Sequence, residues 1–143
     1  LTQSLDGFGV LGSASYTKSR VREGGDDPIA MPGLSKWVVN GTAYFEKYGF
    51  QARVSGRYRS KFLAEVSTIS LARDKFMAKG EFVVDAQIGY TFQSGALEGL
   101  GILLQASNLT NEPFVTYYNN DPRQIRDYQN YGRNFMAGIT YKF

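Results

Sequence analysis

The sequence predicts an all-β chain of about six antiparallel strands, arranged as a segment of a transmembrane β-barrel. Three observations predict it. Apolar and polar residues alternate with a period of two over long stretches, which separates them onto the two faces of a strand and not of a helix. The 143 residues include 10 Tyr, 10 Phe, 1 Trp and 16 Gly but only 4 Pro, a mixture that suits strands, bulges and tight turns. The connections between the strands also sort by length, short at one end and long at the other, as they do in outer-membrane barrels.

The strands follow in order. Phe8, Val10, Ala14 and Tyr16 alternate with Gly9, Ser13, Ser15 and Thr17, predicting a strand over 5–20. Trp37, Val39, Ala43 and Phe45 alternate with Asn40, Thr42, Tyr44 and Glu46, predicting 35–47. The third, 49–62, sets Phe50, Ala52, Val54, Gly56, Tyr58 and Phe62 against Gln51, Arg53, Ser55, Arg57, Arg59 and Lys61. The fourth, 80–93, carries Phe82, Val84, Ala86, Ile88, Tyr90 and Phe92 on one face. Leu100, Ile102, Leu104 and Ala106 predict 98–110, although Leu103 breaks the alternation. Phe135, Ala137, Ile139, Tyr141 and Phe143 predict 132–143.

Residues 46–49 make one tight turn and 93–99 a short one, whereas 21–34, 63–79 and 111–131 are long. Successive connections of an antiparallel meander fall at opposite ends, so both short turns share one end and the long loops the other. The aromatic spacing agrees with a membrane wall. Phe50 and Phe62 lie 12 residues apart on one face; in a tilted strand this projects to about 28–30 Å, close to the ~25 Å apolar band between two aromatic girdles. Six strands do not close such a barrel, which starts at about eight. Open edges in lipid leave backbone groups unpaired, so the reading expects missing strands, and Leu1 in place of Met suggests an excised piece.

The chain has no His and no Cys. This removes the usual general base, thiolate nucleophiles and the usual zinc ligands, and no cofactor is expected. No catalytic triad or paired catalytic carboxylates stand at a credible spacing, so an enzyme is not expected. Gly7–Gly12 formally matches G-x-G-x-x-G but lies inside an alternating strand, without the helix that a dinucleotide site needs. The net charge of +3 is mild. Nucleic acid is not expected as a partner, because the cations and the aromatics occupy opposite faces.

Two groups of residues are candidates for binding. Arg53, Arg57, Arg59 and Lys61 form a basic stripe on the polar face of one strand. In a barrel this is the lumen, where the stripe steers an anionic ligand or simply pairs with acids such as Asp85 and Glu46 on neighbouring strands. The segment 114–131 holds Tyr117, Tyr118, Asn119, Asn120, Asp121, Arg123, Arg126 and Tyr128. Ring faces with planar amide, carboxylate and guanidinium groups suit sugars; the competing reading is a long loop folded on itself. Asp26 and Asp27 join it or cap a turn.

Four stretches carry a family resemblance: Leu5–Val10, Met31–Lys36, Asn108–Phe114, and Tyr131–Arg133 through Tyr141–Phe143. With weaker support from Arg57–Phe62, they make the chain resemble the C-terminal portion of a TonB-dependent outer-membrane receptor. The resemblance implies that 1–143 are the last six strands of a barrel of about 22, with the plug domain and earlier strands absent, and it adds a third role for Arg53, Arg57, Arg59 and Lys61, docking the carboxylates of that plug. It implies ligand uptake at the bacterial outer membrane, of an oligosaccharide or an iron chelate. The implied partners are the rest of the barrel and its plug, outer-membrane lipid, the TonB–ExbB–ExbD complex and the barrel-assembly machinery. That machinery would read Phe135, Ile139, Tyr141 and Phe143 as an assembly signal. Two other architectures compete with this one, a stand-alone small barrel with extra strands in 63–79 and 114–131, and a soluble β-sandwich binding module.

Overall fold

The computed structural model describes residues 6–22, 28–67 and 74–142. Leu5, Asp26, Asp27 and Phe143 lie outside the described residues. The chain forms ten strands: β1 (Phe8–Tyr16), β2 (Trp37–Lys47), β3 (Phe50–Arg59), β4 (Phe62–Ser67), β5 (Asp74–Ala78), β6 (Glu81–Thr91), β7 (Leu100–Ser107), β8 (Phe114–Tyr118), β9 (Ile125–Gln129) and β10 (Asn134–Tyr141). They build two open antiparallel sheets, a larger one in the order β1-β2-β3-β6-β7-β10 and a smaller one in the order β4-β5-β8-β9.

The larger sheet follows the periodicity. Its registers carry one face across the strands: Phe8 lies opposite Phe45, Phe45 opposite Ala52, Ala52 opposite Ile88, and Ile88 opposite Leu104. The aromatics gather as cross-strand pairs at the two ends of the sheet. Tyr16 and Trp37 meet at 4.8 Å at one end, and Phe8 and Phe45 at 4.5 Å at the other. The β2–β3 turn is set by Tyr48 and Gly49, both with positive φ. A side chain at Gly49 would also run into the Thr91 carbonyl.

The long connections hold the strands that periodicity did not resolve. β3 ends at Arg59, and after Ser60 and Lys61 the chain continues as β4. β7 likewise gives way to β8, so the hairpins β4–β5 and β8–β9 leave the larger sheet at the same end. There they pair through β5 and β8, with Phe76 opposite Tyr118 and Ala78 opposite Thr116. The buried apolar residues Leu63, Phe76, Ala78, Val115 and Tyr117 all belong to this smaller sheet. The sheets adjoin end to end and do not stack, since every substantial contact between strands joins hydrogen-bonded neighbours.

This architecture corrects the barrel reading. The chain is all-β, but among the described residues nothing pairs the outer edges of β1 and β10, so the sheets are open and enclose no lumen. A membrane wall of strands must be closed, because lipid offers no partner to unpaired backbone groups. The transmembrane-barrel fold, the outer-membrane location and the uptake role that depended on closure are overturned together. The loop lengths misled because sorting by length has a second cause: two hairpins that leave one end of a sheet and pair with each other. The girdle distance from Phe50 to Phe62 fails as well, since those residues lie on different strands in different sheets. No described helix is long and apolar enough to cross a membrane.

Candidate functional site

The segment 114–131 is no open loop. Val115, Thr116 and Tyr117 are buried, with Tyr117 only 4% exposed, and Thr116 donates its hydroxyl to Asp127 Oδ2 at 2.7 Å. The Tyr118 ring packs edge-on against Phe76 at 4.9 Å. Asn119 and Asn120 take positive φ and form the hairpin turn. Asp121 accepts from the Arg123 side chain and backbone at 2.9–3.1 Å, bonds that hold its carboxyl below the usual range and raise the guanidinium in turn. Arg126 lies over the Phe76 ring at 4.0 Å and donates to Glu65 at 2.9 Å, the bond that chiefly raises its pKa. Tyr128 is exposed on the edge strand β9.

The basic stripe divides into two pairs. Arg59 is occupied: it donates to Ser35 Oγ and the Gly33 carbonyl, both at 2.7 Å, and lies 3.8 Å over Phe62. It thereby ties the Met31–Lys36 stretch to the junction of the sheets, where Gly33 N also donates to the Leu63 carbonyl at 2.8 Å. Lys61 reaches Asn120 Oδ1 at 3.3 Å. Arg53 and Arg57 make no hydrogen bond or ion pair among the described residues. Asp85, the expected partner on the next strand, instead accepts from the Asn108 backbone N at 2.9 Å.

Arg57 borders a groove of 570 Å3 where the two sheets meet, within the ~300–1,000 Å3 of small-molecule sites. Glu81 on β6 lines it as well and is also unpaired among the described residues. Phe114 from β8 and Tyr131 from the β9–β10 connection supply aromatic surface, and Gln129 and Asn134 supply amides. Asn108 holds the groove in shape. Its Oδ1 accepts from Glu112 N at 3.0 Å, and its Nδ2 donates to the Gly132 carbonyl at 2.9 Å. Its positive φ of 54° bends the chain out of β7, a conformation that Asn tolerates better than most residues. The Tyr131 hydroxyl bonds to Gln129.

Of the residues singled out in the sequence, the structure places Arg57 and the flanking Phe114 in this groove, while Tyr117, Tyr118, Arg123 and Arg126 are engaged elsewhere in the smaller sheet. Glu81, Gln129, Tyr131 and Asn134 were missed as binding residues. The available signal was the Asn108–Phe114 stretch, whose Asn, Glu and Pro mark a built turn. A 760 Å3 depression at the tight-turn end has turn backbone and Lys47 in its wall, and Lys47 is already paired with Asp6 at 3.4 Å.

Comparison of the chain with protein-family models, with curated proteins and with solved structures finds no match.

Proposed function

We propose that this chain is a non-catalytic binding module that holds a polyhydroxylated ligand, a saccharide, in the groove between its two sheets. The observation that carries the reading is the pair of unengaged planar charged groups, Arg57 and Glu81, on one groove with Phe114 and Tyr131. A guanidinium and a carboxylate each address two neighbouring hydroxyls at once. An aromatic ring covers the apolar face of a sugar. The lack of His and Cys supports binding in place of catalysis. We further propose, from the resemblance of Asn108–Phe114 and of Tyr131–Arg133 through Tyr141–Phe143 alone, a sequence kinship with TonB-dependent receptors, with no uptake role drawn from it.

The test is titration of the full chain with neutral malto- and xylo-oligosaccharides, followed by amide chemical shifts. Shifts are expected at Arg57, Glu81 and Tyr131. Arg57→Ala and Tyr131→Ala should each weaken binding by about tenfold or more, or 1.4 kcal/mol. Tyr48→Ala, on the exposed turn at the far end, should leave binding unchanged. Shifts confined to other surfaces, or none at millimolar sugar, would sink the proposal.

A further inference from the structure

We infer that the two edges of the larger sheet that have no strand beside them among the described residues are complementary, and that β10 of one copy pairs antiparallel with β1 of a second copy.

The backbone supports this first. Glu46 N donates to the Gly7 carbonyl and Thr17 N to the Lys36 carbonyl, so the odd-numbered residues of β1 bond inward to β2. Alternation then points the N–H and C=O groups of Phe8, Val10, Gly12, Ala14 and Tyr16 outward. At the other edge, Lys142 N donates to the Gly99 carbonyl, so the even-numbered residues of β10 bond to β7. Phe135, Ala137 and Ile139 therefore point their backbone groups outward. On both edges the outward-facing residues are those of the apolar face. Pairing the edges brings Ile139 opposite Val10, Ala137 opposite Gly12, and Phe135 opposite Ala14. It forms hydrogen-bonded pairs and continues one apolar face from copy to copy. The directions also agree, because β1 and β10 are the first and last strands of a six-stranded antiparallel order.

The side chains point the same way. Natural sheets blunt an exposed edge with charge, proline or a bulge. The smaller sheet does so: its edge strands carry Glu65 on β4, and Arg126 and Asp127 on β9. β1 (FGVLGSASY) and β10 (NFMAGITY) contain no charged residue and no proline, and pair with their inner neighbours without a register shift. Phe8, Val10, Phe135 and Ile139 are 61%, 79%, 70% and 76% exposed on these edges. A head-to-tail contact of this kind closes into a ring or propagates, according to its rotation.

Sedimentation velocity of the purified chain over a range of micromolar concentrations reads the contact. The expected result is concentration-dependent association. Val10→Lys with Ile139→Lys should move it toward monomer by roughly tenfold or more. Ile88→Lys, on the same apolar face but an interior strand, should leave it unchanged. Circular dichroism checks that the variants keep their strands. The chain has no cysteine, so single-cysteine variants give a second readout. Val10→Cys mixed with Ile139→Cys should form a disulfide-linked pair, and neither alone should. Association abolished by Ile88→Lys but not by the edge lysines would overturn the inference, as would crosslinking within one variant alone. A chain that stays monomeric throughout also overturns it and leaves the edges to a strand of another polypeptide.

Discussion

The two sheets come from one chain and meet at one junction, yet they solve the same problem differently. The smaller sheet buries its centre and carries charged side chains on its edge strands. Arg126 reaches from the β9 edge across the Phe76 ring to Glu65 on the β4 edge. The larger sheet is longer and more regular, but its apolar face stays exposed and its edges uncharged. Regularity and burial are thus separate properties. Hydrogen bonding and alternation make a sheet; a core requires something to cover its apolar face, since the gain scales with the area removed from water.

The largest effect that sharpens this contrast is expected at Phe76. Phe76→Ala removes a ring packed by Tyr118 and Arg126 and should cost about 3–5 kcal/mol, measured by denaturant unfolding. Hydrogen exchange should show the loss concentrated in β4, β5, β8 and β9. Equal loss across β1–β3 would mean that the sheets unfold as one unit and would break the contrast. Next comes the joint between them. Asn108→Ala gives up the side-chain hydrogen bonds to Thr110, Glu112 and Gly132 and places a less tolerant residue at positive φ, for about 2 kcal/mol; Asn108→Gly should restore the backbone part only.

Smaller still is Val10→Ala on the open edge, which should cost less than about 0.5 kcal/mol in the isolated chain. A cost that grows with protein concentration would show the edge being covered by a second copy. The smallest effect concerns the hairpin tip. Asp121 is held below its ordinary pKa by Arg123, so its contribution is present above the ordinary carboxylate range and fades as pH falls through the lowered folded value. Wild type and Asp121→Asn should therefore differ in amide protection of the 119–123 turn near neutral pH and converge in acid. A difference that persists at the lowest pH would assign the turn's order to Asn119 and Asn120 instead.

Much of the larger sheet could be read from residues alone. The strands expected at 35–47, 80–93 and 132–143 appear as Trp37–Lys47, Glu81–Thr91 and Asn134–Tyr141, because alternation at period two survives wherever one face differs from the other. The smaller sheet was not readable. β8 runs Val115, Thr116 and Tyr117, all buried, so no polar face marks its pleat. β4–β5 and β8–β9 also each contain a register shift. The groove was half readable. Arg57 stood out by its stripe, but Glu81 and Tyr131 meet it only through strand pairing and the turn that Asn108 builds.

The order of amino acids therefore determined which residues form the long strands, which face each side chain takes, and that the chain is all-β, because these follow from local alternation and turn chemistry. Tertiary structure alone decided that the long connections pair into a second sheet, that the first sheet ends in open edges, and that Arg57 and Glu81 share a groove. Those outcomes depend on which strands become neighbours, and alternation is the same for a strand at an edge, in an open sheet or in a closed barrel.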